Sequence, residues 1–312
     1  VAAPSTAFTE LVGCRLPIQL APMGGGVAGP ELAVAVCAAG GLGMVSSAHP
    51  TPLDAQLRFL AEHAGDPCGV GFFAFELADR LAELELASAT ARVVDVFWGD
   101  PDAKVVERIH AGGALGFWQV GSADEAVAAA DAGCDAVVVQ GVEAGGHVRG
   151  TTPLLELLAE VTPRVCVPVV AAGGIAAAAS ARRAFEAGAS ALRIGTRLLA
   201  TSESAAHKQY LIALIRARPD DTEITTAFGV GWPDAPHRVL SLAVKAAARA
   251  KDEVGEAHYG DRTWPIPRHS VQPPSTFCSG DVIAMALYAG TGVGDIVDVR
   301  PAADIIRQLL ED

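Results

Sequence analysis

The chain has 312 residues, 51% of them hydrophobic and only 5% aromatic, and its 36 acidic against 23 basic residues leave a net charge of −13. A chain of this size buries enough of its surface to fold without covalent staples. The acidic balance, with no run of Lys or Arg, argues against a nucleic-acid or anionic-membrane partner. Six cysteines (Cys14, Cys37, Cys68, Cys134, Cys166 and Cys278) are scattered with neither C-x-x-C pairs nor His at metal spacing. They read as reduced thiols with no metal site. No stretch of about 20 apolar residues escapes Gly, Pro and charge, and no basic-then-apolar leader pattern occurs. The expected location is cytoplasmic.

Eight short apolar runs follow in order, at 17–22, 42–46, 68–74, 92–97, 115–120, 136–140, 167–171 and 191–194. Between them lie Ala- and Leu-rich helical patterns at 31–39, 53–64, 77–86, 103–111, 123–132, 153–161 and 177–187. Nearly all-apolar strands, each followed by a helix, are the pattern of a parallel sheet covered on both faces. Eight such units close into a (β/α)8 TIM barrel, an α/β fold, where an open doubly wound sheet usually has fewer strands. The stretches AAGGLGM, DAGCDAV and EAGASAL each put Gly between helix and strand, as a helix C-cap does.

After the eighth strand the pattern changes. Helices are expected at 202–217 and 239–254, a loop at 219–236, and closing helices at 281–289 and 302–310; the stretch 259–279 carries four prolines. The expected division is a barrel of residues 1–205 with 281–312, and a small, mostly helical cap of 206–280 over its mouth.

Barrel enzymes carry their chemistry on the loops after the strands. After the first comes Pro22-Met23-Gly24-Gly25-Gly26-Val27-Ala28-Gly29. This is formally G-x-G-x-x-G, but the next strand ends without the acid a dinucleotide ribose needs. The glycines instead suit the close approach of a flat ring system. After the sixth comes Gln140-Gly141-Val142-Glu143-Ala144-Gly145-Gly146-His147. A single His in a glycine-rich turn at a strand's end suits a proton carrier aimed at the barrel axis. After strands seven and eight come Gly173-Gly174 and Gly195-Thr196, loops that commonly form a phosphate site in barrels. Arg193 could add charge there, or bury its stem on the helix side. A phosphorylated ligand is implied: FMN, a phosphosugar or a nucleotide. Gly290-Thr291-Gly292 reads equally as an end-loop over the ligand or a helix terminator, and the four Trp read as core or lid packing.

Ala21-Pro22-Met23, the Q-G-x-E-A-G-G-H string ending at His147, Ala172-Gly173-Gly174-Ile175 and Ile194-Gly195-Thr196 stand in order at the strand ends. Together they resemble nitronate monooxygenases, whose relatives include FMN-dependent enoyl-ACP reductases and NADH:quinone reductases. The resemblance implies non-covalent FMN and no metal. It places Met23 and Gly24 against the flavin ring, Gln140 and Gly145 at the flavin, and Gly173, Gly174, Gly195 and Thr196 around its phosphate; Pro22, Gly146 and Arg193 are expected as further cofactor contacts. It makes His147 the catalytic residue. Two departures stand out. Gly71 occupies the place of a usual Asn after the third strand, and Arg193 that of a usual Gln.

The activity so implied is oxidation of an alkyl nitronate by dioxygen to a carbonyl compound and nitrite. His147 would act either as an imidazolium on the nitronate oxygens or as a base on a neutral nitroalkane. The alternatives are an NAD(P)H reductase acting on a quinone or enoyl thioester, and a non-catalytic flavin binder. The oligomeric state stays open, a homodimer included.

Overall fold

A computed structural model describes residues 5–65 and 67–311. A short helix, α1 (Ala7–Val12), precedes the barrel strands β1 (Ile18–Leu20), β2 (Gly43–Ser46), β3 (Cys68–Phe73), β4 (Val93–Phe97), β5 (Leu115–Val120) and β6 (Ala136–Gln140). A two-residue strand β7 (Gly146–His147) stands outside the barrel, and β8 (Val169–Ala172) and β9 (Ala191–Ile194) complete it. All eight barrel strands are parallel, in the order β1-β9-β8-β6-β5-β4-β3-β2. A parallel bridge between Gln19 and Leu42 joins the two ends, with Leu20 N–H donating to Leu42 O at 2.9 Å. The expected TIM barrel is therefore the observed one.

The crossover helices are α2 (Pro30–Ala39), α3 (Leu53–His63), α4 (Leu81–Thr90), α5 (Ala103–Gly112), α6 (Ala123–Asp131), α7 (Leu154–Val161) and α8 (Ala178–Glu186). Val93, Val94, Val137, Val138, Val139 and Val170 are fully buried, the two-faced burial the apolar runs encode. The glycines that close α2, α6 and α8, Gly40, Gly133 and Gly188, sit at φ of 104°, 91° and 96°. Only glycine takes that left-handed conformation without steric cost, and so it ends each helix and turns the chain into the next strand. One helix is displaced: α4 starts at Leu81 rather than 77. Arg80 reaches Ser47 O, Glu76 and Glu83 at 2.9, 3.3 and 3.0 Å, and so holds the preceding turn out of the helix.

The segment after β9 is not mostly helical as expected. It holds α9 (Thr196–Leu199), α10 (Lys208–Arg216) and α11 (Ser241–Ala247), but also five strands: β10 (Thr222–Thr225), β11 (His237–Leu240), β12 (Glu253–Tyr259), β13 (Arg262–Pro267) and β14 (Cys278–Gly280). The expected helix over 239–254 is broken into β11, α11 and the start of β12. Val254 and Ala257 turn inward from β12 while Glu253, Glu256 and His258 face solvent, an alternation that pairs as a hairpin with β13. Pro265 and Pro267 fall on β13, which pairs on one side only. The expected helix at 281–289 shrinks to one turn, Val282–Ala284, before an extended stretch to Gly290. The chain closes with α12 (Ala302–Leu309), packed against α2 and α8. No helix among the described residues is long and apolar enough to cross a membrane.

This cap is tied directly to the catalytic end of the barrel. In the small sheet β10-β11-β7, His237 pairs with His147 and Arg238 with Gly146. Val27, Ala176 and Leu199 from the barrel share a buried cluster with Tyr210, Phe228 and Val239 of the cap.

Candidate active site

The strand ends converge on one cavity of about 330 Å³, within the usual range for ligand sites. Pro22, Met23, Gly24, Gln140, Gly145 and Gly146 line it, as do His147, Gly173, Gly174, Arg193, Gly195 and Thr196. Residues spread over more than 170 positions thus meet, as the strand-end reading requires.

The turn carrying His147 is built from its own motif. Gln140 Nε2 donates to His147 O at 2.9 Å, and its Oε1 accepts from Arg149 N–H at 3.2 Å. The side-chain amide is therefore committed to the turn. Glu143 accepts from the N–H of Leu154 at 2.9 Å, fixing the loop to the start of α7. A Cβ on Gly145 would lie 2.5 Å from Gly290 N, so the strap 288–292 crosses where only glycine leaves room. Gly290 and Gly292 line the cavity, which decides the open question of that loop in favour of closure over the site.

His147 Nε2 is buried without a hydrogen-bond partner. The ring stacks on Trp232, centroids 3.9 Å apart at 23°, and meets Trp98, His237 and Tyr288 at 5.8, 5.3 and 5.7 Å. Burial pushes its pKa down to about 3, with His237 adding to the effect. His237 is fixed by two contacts: its Nε2 accepts from Phe228 N–H at 3.2 Å and its Nδ1 lies 2.8 Å from Ala235 O. That combination requires a neutral ring with the proton on Nδ1. Burial thus favours the neutral imidazole at rest over a standing imidazolium.

The floor of the cavity is polar, although its residues lie on strands that read as apolar runs. Arg193 points into the barrel rather than toward the helices. It holds Asp95 through both terminal nitrogens at 3.0 and 2.8 Å, Gln19 through Nε at 3.2 Å, and Gln119. Asp95 and Gln119 line the cavity with it. Gly71 follows from packing: a Cβ there would meet Pro22 Cβ and Cγ at 2.5 Å, so the usual Asn has no room. Polarity at this floor comes from Asp95, Gln119 and Arg193 instead. The glycines after β1 also answer to the cap, since a Cβ on Gly25 would meet Pro273 Cδ at 2.4 Å and Gln272 Nε2 donates to Gly25 O at 2.8 Å.

At the opposite wall, no hydrogen bond takes up the amide of Gly174 or Gly195 among the described residues. Thr196 Oγ1 accepts from Gly290 N–H at 3.1 Å, joining this wall to the strap. Free amides and glycines that leave the backbone bare are what an oxyanion-bearing group needs. The aromatic wall of Phe73, Phe97 and Trp232 had no sequence signature as a wall, because its members stand at the ends of β3 and β4 and in the loop before β11.

A parallel barrel with a capped, glycine-rich cavity and a buried histidine at its C-terminal end defines a TIM-barrel oxidoreductase. The family model for nitronate monooxygenase matches residues 5–312, and the chain belongs to that family. It is 30% identical to a nitronate monooxygenase of Pseudomonas aeruginosa, over 98% of each chain. It is 29% identical to a (3aS,4S,5R,7aS)-5-hydroxy-7a-methyl-1-oxo-octahydro-1H-indene-4-carboxyl-CoA dehydrogenase of Rhodococcus jostii, over 98% of this chain and 95% of that one. Among solved structures, FabK of Thermotoga maritima superposes with a TM-score of 0.78 at 27% identity, covering 99% of this chain and 96% of that one. Nitroalkane oxidase of Streptomyces ansochromogenes gives 0.74 at 30% identity over 97% of each.

Proposed function

We propose that this chain is an FMN enzyme that oxidises nitroalkanes, by way of their nitronates, with dioxygen to a carbonyl compound and nitrite. The observation that carries the reading is His147 Nε2, buried and partnerless on the cavity wall. Such a nitrogen is free to take a proton from a substrate placed beside it. Burial, which keeps the ring uncharged at rest, restricts it to carbon acids far stronger than a simple ketone, such as the carbon beside a nitro group.

The glycine-lined wall and the amides of Gly174 and Gly195, unpaired among the described residues, support FMN as the group the cavity would hold. Gly173, Gly174, Gly195 and Thr196 would hold its phosphate, and Met23, Gly24 and Gly145 would lie at its ring. The chemistry FMN supplies when bound is acceptance of electrons from the substrate carbon and their transfer to dioxygen. This chain's own residues orient the substrate, move its proton to His147 and exclude water beneath Trp232 and Tyr288. Replacing His147 with Asn is expected to leave FMN bound and lower nitroalkane turnover by ~100-fold or more. Unchanged turnover removes His147 from the reaction.

A second reading, an NAD(P)H-dependent reductase or a dehydrogenase of an acyl thioester, is favoured by the likeness to the Rhodococcus dehydrogenase and to FabK. Anaerobic mixing separates the two. Bleaching of flavin absorbance by nitroalkane or nitronate alone supports the oxidase, and rapid bleaching by NADH or NADPH supports the reductase.

A further inference from the structure

The aromatic residues of this chain are unevenly placed. They make up only 5% of it, as 10 Phe, 4 Trp and 3 Tyr. Yet Phe73, Phe75, Phe97, Trp98, Trp232 and Tyr288 form one connected ring network around His147. They come from the ends of β3 and β4, the loop before β11 and the strap after α11, so no local sequence bias explains the cluster. Trp232 meets Phe73 at 4.7 Å and 70°, Phe75 at 4.9 Å and 58°, and Trp98 at 5.0 Å and 80°. Trp98 in turn meets Phe97 at 5.4 Å and 89°.

Two observations distinguish this wall from ordinary core. It is open: Phe75 is 52% exposed, and Phe73, Phe97, Trp98 and Trp232 are all half-buried. It is also held under strain, because Trp98 has φ of 63°, a left-handed conformation that is a steric outlier for so bulky a residue. Such strain persists where the surroundings over-determine it, and it concentrates at functional sites. The neighbouring cations are engaged elsewhere. Arg149 pairs with Glu125 and Asp100, both at 2.7 Å, Arg193 with Asp95, and Arg238 donates to Val142 O at 2.8 Å.

We propose that the substrate carries an uncharged, flat ring system, an aryl or fused-ring body, which packs on Phe73, Phe97 and Trp232 while its reacting carbon faces His147. The inference rests on the cavity's being the oxidoreductase site, and it deepens that reading by naming the substrate's body. Ring faces and edges at these angles recognise another ring through complementary quadrupoles, a contribution beyond apolar area and absent for a linear chain. With the Arg side chains nearest His147 engaged among the described residues, the body gains nothing by bearing negative charge.

The test is binding rather than turnover, measured by isothermal titration on the flavin-loaded protein with two unreactive amides of equal carbon number, phenylacetamide and octanamide. The heptyl chain of octanamide buries more apolar surface, so hydrophobicity alone predicts that octanamide binds more tightly. The ring-recognition proposal predicts the reverse order, with phenylacetamide favoured by roughly tenfold. Trp232→Leu is expected to erase most of that preference and to leave octanamide affinity within about twofold; Phe73→Leu is expected to reduce the preference by roughly two- to tenfold. Equal affinities, a preference for octanamide, or a ring preference that survives Trp232→Leu would each overturn the proposal. A ring preference that stands while phenylnitroethane is not oxidised would instead reject the nitroalkane reading and leave this one intact.

Discussion

At the scale of single residues, the consequence of burying His147 is a pH dependence with a definite sign. Its folded-state pKa lies at about 3, against an ordinary value of 6.5. As pH falls through 6.5 the unfolded chain takes up a proton that the folded site refuses. The stability this neutral ring allows is complete above that pH and is lost toward pH 3, at up to ~1.4 kcal/mol per pH unit. His49, lowered to about 4 by burial, and His237, also lowered, act in the same direction. The informative quantity is therefore a difference between proteins. His147→Asn is expected to flatten the pH dependence of unfolding free energy by close to one proton's slope between about pH 6 and pH 4. Urea unfolding at several pH values measures it, and parallel slopes for the two proteins would contradict the burial argument. That His147 stands at the cavity was legible from its glycine-rich turn at the end of a strand. Its charge state was not, because Trp232 and His237, which desolvate it, lie far along the chain in the cap.

At the scale of elements, the glycine-rich turn after β6 and the strap at 288–292 are mutually dependent. Gly145 leaves the gap through which Gly290 passes, and Thr291 N–H donates to Glu143 O at 3.0 Å across the same contact. Gly145→Ala places a methyl against backbone that has no rotamer to yield. The strap must lift, at a cost of about 1–3 kcal/mol, and the amides around Thr196 lose their cover. Flavin affinity is expected to fall along with stability, both measurable by fluorescence as flavin is released on dilution. A variant with native flavin affinity would show that the strap is not needed for cofactor retention. Alternation of apolar runs and helices made the barrel readable, since each unit's signal lies within its own thirty or so residues. The cap was misread because short Ala-rich stretches such as Ser241–Ala247 fit a helix of any length. What ends them is the hairpin of β12 with β13, whose signals, the alternation over 253–258 and the two-residue Gly260-Asp261 turn, are masked by the Ala-rich stretch before them.

At the scale of the whole molecule, the barrel interior is closed at one level by charge rather than hydrocarbon. Arg193 on β9 and Asp95 on β4 reach across the barrel and are 4% and 1% exposed, with Gln19 from β1 and Gln119 from β5 completing the layer. Removing one ion buried this deeply strands the other, at a cost of about 3–5 kcal/mol, whereas removing both together can be close to neutral. A thermodynamic cycle resolves this. Arg193→Gln and Asp95→Asn are each expected to be strongly destabilised in urea unfolding, and the double variant to recover most of the loss. The double variant keeps a hydrogen-bonding floor of four amides, so the barrel is expected to stay closed and to bind flavin, with its affinity reporting what the ion pair itself adds. If the two single losses simply sum in the double variant, the residues act independently. The pair would then not be the unit that spans the barrel beneath the active site.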